Sequence, residues 1–388
     1  VARDQAPPVR LFISAGEVSG DIVAARLVEQ LRAREPGLQV DAIGGDHLAA
    51  AGAALVTRAT HIGAIGVSEG LAVAPSAVRI FRDTVRHCRR VPPDLAILIG
   101  NDIFNVLLGR RLRANGIRTV GYFPPQTWIW AAIARLFAPS FDRVLSSFPD
   151  ETRCYQRVGV HTEFVGHYLA DLLPAVTAEQ RVSARAALGL PPDGPVVALL
   201  AGSREQERRR LLPVLLEGVD RLRLVMPDVQ CLCVGMPGGS AVRTPGGLTV
   251  PTVGDSHQAM RAADAGILCS GTATLEAALI GLPMVVAYRS SRVTYAIVRT
   301  AIALGLIRDD TVALPNLIAG ERVVPEFVQS RVSAAALSSE VAALLMSVER
   351  RERMLAAFGR VRHAVALCGT LDRAAALILE HARQPCHT

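Results

Sequence analysis

Twice along this chain an apolar run ends in a loop of glycines and small residues and gives way to an amphipathic helix, and each time the cycle goes on repeating. Residues 11–14 form the first such run. Gly16, Ser19, Gly20 and Asp21 follow it, then a helical spacing of Ile22, Ala25, Leu27 and Leu31. Strand-like runs at 40–43, 95–99, 119–123 and 144–147 alternate with further amphipathic segments. Strands that alternate with helices pair in parallel, because each helix carries the chain back to the edge where the strand began. Near residue 171 the pattern lapses into a Pro, Ala and Gly-rich stretch, then resumes with runs at 196–200, 229–234, 265–269 and 284–287. The pattern predicts an α/β chain of two Rossmann-like domains, residues 1–175 and 195–360, with a linker at 176–194 and a helical end at 361–388. A length of 388 residues agrees, being more than one hydrophobic core usually serves.

All 42 basic residues are arginine, and lysine is absent. A phosphate-binding Walker loop, a Schiff-base enzyme and the usual kinase site each need a lysine, so none is available in standard form. The net charge of +7 suits an anionic membrane, a phosphorylated substrate, nucleic acid, or simply an arginine-rich genome. Seven cysteines lie scattered without a CxxC pair and read as reduced core residues of a cytoplasmic protein. Residues 1–10 lack the apolar centre of a secretion signal, and no apolar run reaches spanning length, so membrane association is expected to be peripheral.

Three strand-to-helix loops carry chemistry. In the first, Gly16, Ser19 and Gly20 bracket Glu17 and Asp21, and free amides at such a helix start favour an anion or polar ligand. The same residues also fit a tight turn with Ser19 or Asp21 as helix cap. In the second, Gly202, Ser203 and Arg204 precede a helix with Glu207 in its first turn. A planar guanidinium beside a helix start can stabilise a diphosphate leaving group. The run Arg208, Arg209, Arg210 reads as a solvated helix face. In the third, Ser270, Gly271 and Thr272 offer amides, and Glu276 one turn later suits the hydroxyls of a ribose; Thr272 and Glu276 are also near capping-box spacing. Asn316 and Gln329 suit a uracil or sugar amide, or equally a helix cap. No two aspartates stand two residues apart and no HExxH occurs, so no metal is expected.

Taken in order, these segments resemble the lipid-A-disaccharide synthase family over nearly the whole chain. The resemblance rests on the run from Ser14 to Asp21, Trp128 and Trp130 after Tyr122, Phe164 to His167 with Ala170 and Asp171, and the Gly202 and Ser270 loops with Glu276. Pro283 to Val286 with Tyr288 and Arg289, and Leu314 to Leu317, extend it. It implies a GT-B type fold, two Rossmann-like domains facing a cleft, with the donor nucleotide on the C-terminal domain and the end at 361–388 returning to the first domain. It implies inverting transfer of 2,3-diacylglucosamine from UDP to the 6-hydroxyl of 2,3-diacylglucosamine 1-phosphate, giving the β-1,6 lipid A disaccharide 1-phosphate and UDP. No cofactor beyond the donor substrate is implied.

On this resemblance Ser203, Arg204, Glu207, Ser270, Gly271, Thr272, Glu276, Asn316 and Gln329 hold the nucleotide. Asp102, helped by Glu17, positions or deprotonates the acceptor hydroxyl, and Gly16, Ser19, Gly20 and Asp21 form the acceptor loop. Acylated substrates place the enzyme peripherally on the cytoplasmic face of the inner membrane. Helix 77–90, with Ile80, Phe81, Val85 and Arg79, Arg82, Arg86, Arg89, Arg90, is the candidate contact, though an ordinary surface helix has the same pattern. Nucleic acid is not an expected partner, and self-association stays open.

The family pattern Gly-x-Asp-x-Pro-Asp-Phe-Asn is here shortened to Gly100, Asn101, Asp102, Ile103, Phe104, Asn105, so Asp102 aligns with either family carboxylate. Ala131 replaces the family's arginine after the tryptophan pair, and Pro124, Pro125, Gln126 replace its Ser-Pro-Ser. A transferase with another acceptor, a UDP-sugar epimerase and a non-catalytic UDP-sugar binder are the rival readings.

Overall fold

A computed structural model describes residues 8–59, 70–100, 103–125, 131–236, 239, 241–305 and 311–384. The chain divides into two compact units. One runs to Tyr168, takes in Ala301 onward at the end of one helix, and resumes at Val365; the other runs from Leu169 to Thr300 and continues up to Ala364.

The first unit holds a seven-stranded sheet of β1 (Arg10–Ala15), β2 (Gln39–Gly44), β3 (Ala54–Arg58), β4 (Leu95–Ile99), β5 (Thr119–Tyr122), β6 (Arg143–Ser146) and β7 (His161–Phe164). Their order is β3-β2-β1-β4-β5-β6-β7, every pair parallel. Helices α1 (Val18–Arg34), α2 (Asp46–Ala50), α3 (Gly70–Arg90), α4 (Ile103–Arg113), α5 (Ala131–Phe137) and α6 (Pro149–Arg157) provide the crossovers. Strand β4 reads Leu-Ala-Ile-Leu-Ile and is buried throughout, as expected of a parallel strand covered on both faces.

The second unit opens with α7 (Leu169–Leu172) and α8 (Ala178–Ala187). Its six-stranded sheet holds β8 (Val196–Leu200), β9 (Gln230–Val234), β12 (Thr252–Val253), β13 (Ala265–Cys269), β14 (Met284–Tyr288) and β15 (Glu326–Val328), with a small ribbon of β10 (Val242–Arg243) and β11 (Thr249–Val250) beside it. The order is β12-β9-β8-β13-β14-β15, again parallel. Its helices are α9 (Glu205–Val225), α10 (Ser256–Ala262), α11 (Thr272–Ile280), α12 (Arg292–Ala303), α13 (Leu314–Ala319), α14 (Ala334–Met346) and α15 (Val348–Val365). A last helix, α16 (Thr370–Arg383), packs on α1 in the first unit, where Asp372 accepts from Arg34 at 2.9 and 2.7 Å.

Two expectations need correction. Residues 176–194 are not a bare linker. Thr177 and Gln180 form a reciprocal capping box that starts α8, and Arg185 on that helix is buried, donating to Ala262 O and to Asp264 Oδ2 at 2.6 Å. The prolines flanking a short alanine-rich helix obscured it. Nor is the chain's end one helix: Gly369, at φ +70°, breaks α15 from α16.

Candidate active site

In a doubly wound sheet, ligands bind beyond the carboxyl ends of the strands, where the strand order reverses. In the first unit that reversal lies between β1 and β4. The loop leaving β1 carries buried Gly16, half-buried Glu17 at the start of α1 with no side-chain capping bond, and exposed Ser19. A Cβ built on Gly20 would lie 3.7 Å from Ile99 O at the end of β4. Asn105, on α4, ties the two strand ends together: its Oδ1 accepts from Ser14 Oγ at 2.6 Å, and its Nδ2 donates to Ile99 O at 2.9 Å. Sequence reasoning had not singled out this brace. Glu17 and Gly100 therefore follow the ends of two neighbouring strands. Asp102 itself, with Gln126, Trp128 and Trp130, lies outside the described residues.

Asp21 is not an acceptor ligand. Its carboxylate is 1% exposed and caps a different helix start: Oδ1 accepts from Gly45 N at 2.6 Å and Leu48 N at 3.3 Å, and Oδ2 accepts from His47 N at 3.1 Å. A buried carboxylate whose oxygens are taken by α2 amides has no room for a substrate. Asp21→Ala strands those donors and is expected to cost about 3 kcal/mol of stability, read by urea unfolding. Turnover per folded molecule should be unchanged; lost activity with intact stability would return Asp21 to the substrate site.

Beyond β5 to β7, the ring of His167 stacks on Tyr168 at 5.3 Å and meets Phe123 edge-on at 5.0 Å. Burial holds His167 down at about 3, and burial pushes the Glu151 carboxyl up to about 8 against the opposing bonds from Ser146 and Ser147. The two act on stability in opposite senses. Glu151 has a raised folded value, so its contribution is complete below 4.5 and is lost as pH climbs through about 8. His167 has a lowered one, so its contribution is complete above 6.5 and is lost as pH falls toward 3. Glu151→Gln should therefore flatten the alkaline decline in melting temperature between about pH 6 and 9. Melting curves for the two proteins that fall in parallel would show that this carboxyl is not the cause.

In the second unit the reversal lies between β8 and β13, and the Gly202 and Ser270 loops leave those two neighbouring strands. Gly202 has φ +112°, and a Cβ there would sit 2.5 Å from Glu207 Cβ, so the turn requires glycine. Arg204 begins α9 with its side chain 54% exposed, and among the described residues its guanidinium meets Glu207 at 3.4 Å. Glu207 itself turns back on the loop: its Oε2 accepts from Arg204 N at 3.2 Å, so it is a helix cap and not a nucleotide ligand. Arg208 is likewise no free solvated charge, since it donates to Ser203 O at 2.6 Å and braces the turn that exposes Ser203.

Gly271, at φ +145° and with open space where a Cβ would lie, starts α11 without any side-chain cap, so that of its first-turn amides Thr274 N turns back to Gly271 O while the helix start, Thr272 included, stays electrostatically suited to an anion. Ser270 shapes this loop instead of holding a ligand: its Oγ donates to Val312 O at 2.7 Å and its N to Ala287 O. Cys269, just before it, is no nucleophile, because burial pushes its thiol up to about 12. Glu276 sits one turn into α11, hydrogen-bonded through Oε2 to His257, a residue for which the sequence offered no motif.

Asn316 is the clearest correction. It is buried, its Nδ2 donates to Val324 O and to Glu326 Oε1, and its Oδ1 accepts from Val323 N and Val324 N at 2.7 and 2.8 Å. All four of its bonds are used, so no amide edge remains to read uracil. Its work is to shape the loop, with Glu326 accepting from Ala313 N at 2.8 Å and Thr274 accepting from Leu314 N. Gln329, just past β15, is held at φ +54° with Nε2 donating to Ser290 Oγ, and its side-chain Oε1 accepts no hydrogen bond among the described residues.

The chain matches the family model for lipid-A-disaccharide synthetase over residues 11–366. Lipid-A-disaccharide synthases of Geobacter metallireducens and Geobacter sulfurreducens are 36% and 35% identical to it, covering 97% and 96% of this chain and 98% and 97% of theirs. At far lower identity the fold recurs in solved structures. A Listeria monocytogenes chain described as a UDP-N-acetylglucosamine 2-epimerase has TM-score 0.67 at 13% identity, covering 98% of each chain. Arabidopsis thaliana UGT89C1, solved with quercetin, has TM-score 0.63 at 14% identity, covering 96% of this chain and 99% of its own. Two parallel-sheet Rossmann-like units place the fold in the GT-B class. The chain is a glycosyltransferase and belongs to the lipid-A-disaccharide synthase family.

Proposed function

We propose that the protein transfers 2,3-diacylglucosamine from its UDP ester to the 6-hydroxyl of 2,3-diacylglucosamine 1-phosphate, with inversion. The observation that carries the donor half is the pair of loops at the β8/β13 reversal, where an exposed guanidinium and an uncapped helix start leave neighbouring strands. Arg204 and the Gly271 and Thr272 amides take the diphosphate, Ser203 contributes its hydroxyl, Glu276 accepts from the ribose hydroxyls, and the Gln329 carbonyl accepts from the base. The acceptor O6 attacks the anomeric carbon as the bond from that carbon to the diphosphate oxygen breaks. UDP leaves with both bonding electrons, and the O6 proton passes to Asp102. Fixed cationic and N–H donors at the diphosphate lower this barrier because they need no reorganisation as charge develops.

Both substrates would lie in a membrane surface, and no helix among the described residues is long and apolar enough to cross one. The first unit carries an apolar and basic surface suited to peripheral contact with anionic lipid on the cytoplasmic face of the inner membrane. Ile80, Phe81 and Val85, the apolar residues expected to make this contact, pack on the first unit's core instead, whereas Val78, Ile103, Leu107 and Leu136 are exposed on α3, α4 and α5, with Arg79, Arg82, Arg86, Arg111 and Arg135 exposed on the same helices. The test is incubation with both acylated substrates on phosphatidylglycerol vesicles, with mass spectrometry of the product. The expected result is equimolar UDP and disaccharide 1-phosphate, with protein sedimenting on the vesicles. UDP released without disaccharide would favour an epimerase-like reaction, and transfer only to another acceptor would overturn the acceptor assignment.

A further inference from the structure

Glu276 has a partner at the start of α11. His257, in the first turn of α10, brings Nε2 to 3.1 Å from Glu276 Oε2, and both side chains keep part of their surface in solvent, 35% and 18%. The backbone at 257 is itself pinned: Asp255 Oδ1 accepts from His257 N at 2.9 Å and from Gln258 N at 3.2 Å. Glu276 Oε1 has no hydrogen-bond partner among the described residues. The pair thus presents a carboxylate with one oxygen held and the other open, beside the uncapped amides of α11.

We propose that His257 is a positioning residue for ribose recognition, fixing the Glu276 carboxylate through Oε2 so that its remaining lone pairs accept from the vicinal hydroxyls of the donor's ribose. The inference rests on the reading of Glu276 as the ribose ligand. A glutamate on a partly exposed helix turn samples several rotamers, and freezing it on binding costs affinity that a standing hydrogen bond removes beforehand. The bond survives a change in the ring's charge, since a neutral imidazole protonated on Nε2 and an imidazolium both donate there. Glu276, first by this hydrogen bond and then by its charge, draws the His257 pKa up, against the opposing effect of burial. The ionised carboxylate is an acceptor only, as two hydroxyl donors require.

The test is calorimetric titration of the full chain with UDP and with 2′,3′-dideoxy-UDP at one pH. His257→Ala is expected to weaken UDP about tenfold while moving dideoxy-UDP by less than about twofold, and His257→Gln, whose amide donates at similar reach, should recover most of the loss. Equal weakening of both nucleotides, or no change in UDP, would show the pair to be only a tie between α10 and α11. Glu276→Ala separates the two levels of the argument. If it too weakens both nucleotides equally, the ribose reading falls and takes this inference with it. If Glu276→Ala discriminates between the nucleotides and neither His257 variant does, the inference alone fails.

Discussion

Asp102→Asn lowers kcat by about 100- to 10,000-fold and leaves UDP affinity within about twofold, if a carboxylate at this position accepts the proton of the attacking hydroxyl. A saccharide hydroxyl is a poor nucleophile until its proton has somewhere to go, and asparagine keeps the shape of the side chain while removing its basicity. In sequence, residue 102 follows β4, whose end Asn105 ties to the end of β1, the strand that leads to Glu17. Glu17→Gln is the companion measurement, expected to have the smaller effect. Transfer at a near-normal rate in Asp102→Asn removes it as base, and a large loss confined to Glu17→Gln would move the role there. The shortened stretch from Gly100 to Asn105 makes this the measurement on which the acceptor half most depends.

Arg204→Ala is the corresponding probe of the donor half, with kcat/KM expected to fall by about 100- to 1,000-fold. Its guanidinium is largely exposed and, among the described residues, held by a single long contact to Glu207, so little stability rests on it. UDP binding should weaken, whereas uridine, which lacks the diphosphate, should bind the variant and the parent alike. Arg204→Lys should recover only part of the loss, because an ammonium cannot engage two phosphate oxygens as a planar fork does. Uridine weakening as much as UDP would show that the residue shapes the loop instead of meeting phosphate.

The alternation of apolar runs and helices was enough to read the inner strands of both sheets, because a parallel strand buried on both faces leaves an unbroken aliphatic run such as the one from Leu95 to Ile99, but not β3, β7, β12 and β15, which lie at the sheet edges. The loops that matter were legible for a related reason: glycines and small residues at strand ends mark where backbone must turn tightly, as at Gly202. Which polar residue in each loop faces a ligand was not legible. Asp21 and Asn316 carry the right chemistry in the right loops, yet their partners are backbone groups brought together by the fold, Asp21 reaching residues 45 to 48. His257 lies in a different element from the glutamate it holds, and no local spacing announces such a pair. The helix at 178–187 was hidden because its identity rests on a capping box and a buried arginine more than on periodicity.

The packing of α16 on α1 also bears on how the protein is made. The first unit gathers its final helix only after the whole of the second unit has been synthesised, so one apolar side of α1 waits for a partner more than three hundred residues downstream. At ribosomal speeds of about 5 to 20 residues per second that wait is on the order of tens of seconds, far longer than a helix needs to form. Through that interval the nascent first unit has a sheet ready to fold and a helix with an uncovered flank, a surface that chaperones can recognise. Completion of the first unit is thus coupled to the synthesis of α16, after the whole of the second unit.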